Sequence, residues 1–466
     1  MNRTQLSRTE RLLRIFTDVR PGEGPTALLM FANVFLVLCA YYFIKPLREG
    51  WIAISPIEGL EQWEIKAYSS FAQSLILLPI VGWYGRLAGV WDRATLISRA
   101  TLFCISNMVI FWFFQPNLFF GELPWSGIAF YLWVGMFGVF VVAQFWTFCA
   151  DVYTDERGKR MLPMIAIGAT SGAAAGSWIV SQLLALGIVG PKALLLVATV
   201  PLFASIALTR SVDARERAAA PPTAGSSAEA GRETSQQGLG FLLDGAKLAL
   251  VSRFILAAAA VTLLVNWVNT NGENLLYKVV QESLTSQTVE RGMTDPIKVS
   301  DFIHAGNTAF YSNFYFWVNV AALVLQSIVA SRLLKYGGFA AILLMLPVIA
   351  LISYTAMALL PVLAIVKVGK FAENATDYSI NNTARHVVWL PVSSEMKFRG
   401  KPAIDTLYVR IGDGMAALTV AFGVHILALA TEMYFIFNVS LVLLWFAFAF
   451  LLIREHRKAS EVNPST

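Results

Sequence analysis

The sequence predicts an all-α polytopic membrane protein with twelve transmembrane helices arranged as two six-helix halves. Of its 466 residues 56% are hydrophobic and 14% charged, and the mean hydropathy is +0.60, too apolar for soluble domains of this length. Apolar stretches near the ~20 residues that cross a bilayer recur along the whole chain, which excludes a globular protein on a single anchor. Lys and Arg collect in alternate connections, so the net charge of +6 reads as membrane topology and not as a nucleic-acid footprint.

Hydropathy places the spans near 27–48, 66–86, 95–115, 126–150, 161–186, 190–209, 246–270, 308–331, 338–360, 361–381, 403–430 and 432–453. With a cytoplasmic N-terminus, the inner connections hold Arg86, Arg93, Arg157, Lys159, Arg160, Arg332, Lys335, Lys397, Arg399 and Lys401. The outer connections 116–125 and 431–433 hold no Lys or Arg. The even number of spans and this asymmetry put both termini in the cytoplasm, as expected for a multi-pass protein of a bacterial inner membrane.

The chain divides into a basic amphipathic N-terminus (1–25), a first half (26–210), a linker (211–245), a second half (246–453) and a tail (454–466). The N-terminus, with Arg3, Arg8, Arg11 and Arg14 among Leu and Ile, suits an interfacial helix on the bilayer. Ala218-Ala219-Ala220-Pro221-Pro222 and Gly225-Ser226-Ser227 give the linker its flexible composition. A parallel repeat is suggested by Trp146 before Arg157-Gly158-Lys159 and Trp389 before Arg399-Gly400-Lys401, each following the fourth span of a half. Gly168, Gly172 and Gly176 form a small-residue ladder for close helix approach, with a sliding surface as the alternative. Cys39, Cys104 and Cys149 lie in apolar runs, without the spacing of a metal site or a disulfide framework.

Charge at membrane depth costs several kcal/mol unless it meets a cavity or a partner, so these residues carry the functional reading. In span 10, Lys370, Glu373, Asp377, Asn381 and Arg385 recur at steps of three or four and define one face. They line a cavity or form an internal ladder such as Lys370 with Glu373. Lys45 and Arg48 end the first span beside Glu49, placed to receive an anion, or else to snorkel to the interface. Span 7 runs into Asn266, Asn269, Glu273, Asn274 and Lys278, which suits a ligand contact, a gate or a wet loop. Span 11 adds Asp405 and the pair Arg410 and Asp413. His304, His386 and His425 form no His-Glu-x-x-His motif, and no Gly-rich phosphate loop is present, so neither an enzyme nor a cofactor is expected.

Several motifs resemble the nucleotide translocase family, the ATP/ADP antiporters of plastids and intracellular bacteria. Tyr42-Phe43-Ile44-Lys45-Pro46-Leu47-Arg48-Glu49 is similar to that family's aromatic segment before a basic and acidic pair. Phe145-Trp146-Thr147-Phe148-Cys149-Ala150-Asp151, followed by Lys159-Arg160, resembles a second motif. Asp377-Tyr378-Ser379-Ile380 stands where the family commonly has Lys-Tyr-Ser-Leu. The most specific stretch, Glu395-Met396-Lys397-Phe398-Arg399-Gly400-Lys401-Pro402-Ala403-Ile404-Asp405, looks like the family's Lys-Gly-Lys-Ala-Ala-Ile-Asp signature. The resemblance implies a major-facilitator-like fold and exchange of ATP for ADP or proton-coupled nucleotide transport. It places Arg48, Asp151 and Lys401 at charged sites of the family, with Glu273 or Asn274 an approximate match. Departures are Arg48-Glu49 for Lys-Asp, Asp377 for a cation and Gly412-Asp413-Gly414 for a Gly-Lys-Ser-Gly pattern.

The expected substrate is therefore a small anion, a nucleotide or alternatively a polycarboxylate or siderophore. Its candidate contacts are Lys45, Arg48, Glu273, Asn274, Lys370, Asp377, Arg385 and Lys401. Candidate gate or proton groups are Glu49, Asp151, Glu373, Glu395, Asp405 and Asp413.

Overall fold

The computed structural model describes residues 10–11, 14, 17–88, 93–121, 123–219, 244–249 and 252–462. Most of the amphipathic N-terminus, the linker between 220 and 243 and the side chain of Glu395 lie outside the described residues.

Among the described residues twelve main helices succeed one another, besides a short helix at 244–249 and a 3-10 turn at Pro191–Ala193. In the first half they are α1 (Gly24–Ile52), α2 (Gln62–Ala88), α3 (Arg93–Phe113), α4 (Pro124–Val152), α5 (Asp155–Ala185) and α6 (Leu194–Ala219). In the second half α7 is Arg253–Glu290, α8 is Pro296–Val324 and α9 is Ser331–Leu359. α10 is built from Leu363–Thr376 and Asn382–Val387, α11 from Ser394–Ala403 and Val409–His425, and α12 is Thr431–Val462. Nine stretches of the described residues are long and apolar enough to cross a membrane, and one of them, Pro296–Leu359, contains both α8 and α9. Gly338 separates its two spans, with φ of 66°, a left-handed conformation that glycine adopts without steric cost.

Three π segments interrupt this helical order: Leu325–Ala330 after α8, Asp377–Asn381 within α10 and Ile404–Tyr408 within α11. The one inside α10 corrects the single-face expectation, because an inserted residue rotates the later turns of the helix relative to the earlier ones. Lys370 and Glu373 precede the π segment and bond to one another, whereas Asn381 turns back to donate to Asp377 at 2.6 Å. The wet-loop reading of the residues after span 7 is also overturned, since α7 stays helical to Glu290.

The described chain forms two compact units. Unit 1 is Met1–Ser55, Pro79–Gln236 and Pro296–Val320; unit 2 is Pro56–Leu78, Gln237–Asp295 and Ala321–Thr466. Most of α8 thus belongs with the first-half helices, and the first part of α2 with the second-half ones.

In unit 1, α1 packs on α4, α5 and α6. The glycine ladder is a packing device: a Cβ on Gly172 would stand 2.3 Å from the Phe35 carbonyl oxygen, and one on Gly176 2.5 Å from that of Cys39. Phe43, Leu47, Trp51, Phe130 and Phe137 fill the core, and the three cysteines are buried. At one end Glu23 accepts from Arg160 at 2.9 and 3.0 Å, and Arg157 reaches Glu216 at 3.0 Å. Burial alone would raise the Glu23 carboxyl, but the bonds from Arg160 and the Arg20 amide outweigh it and hold it below the usual carboxylate range. The first Arg-Gly-Lys cluster therefore serves, through Arg157, to clamp the starts of α1 and α5 to the end of α6.

In unit 2, α7 packs on α11 and α12, and α9 on α10 and α12. One cleft in unit 1 is lined by Val141, Phe145 and Thr209, and one in unit 2 by Ala384, Val388 and Leu452.

Candidate functional site

The charges of α1 are buried in unit 1. Pro46 deprives the Tyr42 carbonyl of its helical donor, opening the backbone beside Lys45. Lys45 is 8% exposed, with its Nζ 4.0 Å from the Tyr315 ring centroid and 5.0 Å from that of Tyr42. The Arg48 guanidinium lies 4.5 Å over Tyr131, and its Nε donates to Glu49 at 2.9 Å. Glu49 is wholly buried. Both cations thus lie on tyrosine faces, an arrangement that stabilises a desolvated charge by about 2 kcal/mol, and snorkelling to the interface does not describe them.

A denser network lies in unit 2, where α10 meets α7 and α9. Lys370 is fully buried and donates to Glu373 at 2.8 Å and to the Asn269 side-chain oxygen at 2.9 Å. The Tyr354 hydroxyl lies 2.8 Å from the Glu373 carboxylate. Glu273 stands 3.6 Å from Lys370 and accepts from Asn374 at 2.8 Å. Its side chain is 24% exposed, so this carboxylate is the member of the network that solvent reaches. Asn274 is buried beside it, with its amide nitrogen unbonded among the described residues.

Gly272 makes this convergence possible, since a Cβ there would stand 2.0 Å from the Tyr354 hydroxyl and 2.9 Å from the Lys370 Nζ. Lys66 approaches from α2, with its Nζ 4.5 Å over the Tyr277 ring and 3.4 Å from the Glu273 carbonyl. Gly272, Tyr354 and Lys66 are absent from the sequence reading. A lone tyrosine or glycine in an apolar span carries no periodic signal, and Lys66 falls at a span edge where basic residues are ordinary.

The remaining candidates of unit 2 separate from this network. Asp413 pairs with Arg410 at 3.2 Å and accepts from Ser74 and Thr270 at 2.7 and 3.0 Å. Arg385 and Asp405 line a cleft with Asn266, Asn381 and Trp389, which holds about 480 Å³ of empty space, part of it open to solvent. Lys401 lies close enough for its charge to act on Asp405. Asp151, in unit 1, is exposed at the end of α4. Chemically, the α1 set carries two cations against one carboxylate, whereas the unit 2 set holds Lys370 between two carboxylates, and both sets can exchange hydrogen-bond partners.

No family model matches the chain, and no curated protein matches its sequence. Solved structures do. The nucleoside transporter NupG aligns with a TM-score of 0.56 at 14% identity, over 91% of this chain and 98% of that one. The POT family transporter PepTSo aligns with a TM-score of 0.60 at 11% identity, over 93% and 98%. The human organic anion transporter TETRAN aligns with a TM-score of 0.54 at 12% identity, over 92% and 100%. The fold is that of a polytopic, major-facilitator-like protein.

Proposed function

We propose that this chain is a secondary transporter that moves a nucleotide across the bacterial inner membrane by alternating access, through ATP/ADP-type exchange or proton coupling, with both termini cytoplasmic. The observation that carries the reading is the set of Lys370, Glu373 and the partly exposed Glu273 within the helices of unit 2: ionisable groups in membrane-spanning helices pair with one another and mark substrate or ion pathways. Lys45, Arg48 and Lys370 neutralise the cargo, and the tyrosines around Lys45 and Arg48 offer faces on which a base can stack. Protonation or displacement of Glu273 removes one of the two carboxylates beside Lys370, which stays bonded to Glu373, and this biases the two-state equilibrium. Glu49, Asp151, Glu373, Glu395, Asp405 and Asp413 serve as gate or proton groups, and Asp377, Arg385 and Lys401 line the route. Nucleotide cargo is supported by the translocase-like motifs and by the likeness to a nucleoside transporter.

A second reading, transport of another organic anion such as a polycarboxylate or siderophore, is favoured by Asp377 and Asp413. Both put acids where the resembling family has cations, and each is engaged by a neighbour, Asn381 or Arg410. Proteoliposomes loaded with ADP decide between them. Saturable ATP uptake that depends on internal ADP supports the first reading. Uptake of citrate but not ATP supports the second, and no saturable uptake of either refutes transport of these anions.

A further inference from the structure

We propose that His304 is a further proton-carrying group of the transport cycle, a role that rests on the transport reading above. His304 lies on α8 within unit 1 and is 3% exposed. Its Nε2 has no hydrogen-bond partner among the described residues. Its imidazole sits in a notch made by Gly50 of α1: a Cβ there would stand 2.7 Å from the His304 Cδ2, 2.6 Å from its carbonyl oxygen and 2.3 Å from the Thr308 Oγ1. The notch comes directly after Arg48 and Glu49, whose charges are paired at 2.9 Å.

One turn earlier on α8, half-exposed Asp301 pairs with Lys192 at 3.0 Å. Lys192 and Asp301 are the charged groups whose fields reach the imidazole, and Arg48 and Glu49 flank the glycine it touches. Along α8, Asn307, Thr308 and Tyr311 continue the buried polar line.

A buried polar nitrogen without a partner is destabilising, and an apolar ring would fill the same notch without that cost. Imidazole differs from such a ring in being able to take up and lose a proton. In the step assigned here, the Nε2 lone pair takes a proton from hydronium, leaving water and an imidazolium. Release to water restores the neutral ring, and no other bond changes. The imidazolium needs hydration or a counter-charge, which the Gly50 notch does not place on Nε2. Protonation therefore favours conformations in which α1 and α8 part or Glu49 turns toward the ring.

The test needs no substrate and uses the full chain in nanodiscs. Deuterium exchange at C2 of each of the four histidines, with mass spectrometry from pH 4 to 9, reads protonation residue by residue. Spin labels at the exposed positions Ile188→Cys and Val289→Cys read the conformational populations. His304 is expected to titrate and the population ratio to shift with pH, by up to about tenfold per unit, the limit for one proton. His304→Gln and His304→Asn should abolish that shift, and Glu49→Gln should move its midpoint. The proposal is overturned if His304 does not titrate in that range, or if either variant keeps the full pH response. Should both variants misfold, the wild-type titration and population shift decide alone. Failure of the proteoliposome assay would sink transport of its test anions while leaving this protonation readout intact.

Discussion

Neutralising Glu373 tests the Lys370 network most directly. Glu373→Gln leaves the fully buried Lys370 ammonium with the Asn269 oxygen at 2.9 Å and Glu273 at 3.6 Å. Stranding one partner of a buried ion pair costs about 3–5 kcal/mol, and the retained Glu273 carboxylate places this case near about 3. Lys370→Met leaves Glu373 with the Tyr354 hydroxyl at 2.8 Å, and a carboxyl that can protonate holds that cost to about 1–3 kcal/mol. The double variant leaves only the partly exposed Glu273 carboxylate without its cation and should cost about 1–2 kcal/mol, giving a coupling of about 2–5 kcal/mol. Reversible unfolding of all four proteins in mixed micelles measures the cycle, and proteoliposome uptake reads function in parallel. The expectation is a double variant that is nearly as stable as wild type but does not transport. Single effects that add to within about 0.5 kcal/mol would show that the two residues do not act as a pair.

Packing, charge and topology each give a further expectation. Gly172→Ala should destabilise unit 1 by about 1–3 kcal/mol, because its Cβ meets α1 backbone 2.3 Å away, while Gly190→Ala, with nothing within 4 Å, should leave the unfolding midpoint unchanged. Arg48→Ala should abolish uptake in a protein that still elutes as a folded species, whereas Arg291→Ala at an exposed turn should cost about 0–1 kcal/mol and keep uptake; equal uptake by both variants removes Arg48 from the site. The lowered Glu23 carboxyl stabilises the N-terminal clamp above its unfolded value, and that contribution is lost as pH falls through the folded one. Amide protection over Thr17–Gly24, corrected for the intrinsic exchange rate at each pH, should therefore fall in acid in the wild type, and an unchanged fall in Glu23→Gln would refute the clamp. Cysteines introduced at 214–240 should resist an impermeant reagent in intact cells while those at 283–300 react, and labelling of both regions would overturn the proposed orientation.

The bilayer made much of the fold legible in advance. Each crossing demands a long apolar stretch, so helix number and order are dictated by hydropathy, and Gly338 marks the start of span 9 in sequence and structure alike. The reading fell short where helices carry polar residues. α7 runs to Glu290 and α8 begins at Pro296, because Asn271, Asn274, His304 and Asn307 lower hydropathy although all four are buried. The sites divide in the same way. Spacing was enough to put Lys370 and Glu373 on adjacent turns and Lys45 beside Arg48, since helical periodicity is local. Their surroundings come from other helices: Tyr131 and Tyr315 for the α1 cations, and Asn269, Glu273 and Tyr354 for Lys370. Hydropathy and local spacing were sufficient for a membrane-spanning helical protein with charge in its spans. Which charges meet was settled by tertiary packing, because a buried charge is defined by partners distant in the chain and by glycines such as Gly50 and Gly272 that let them approach.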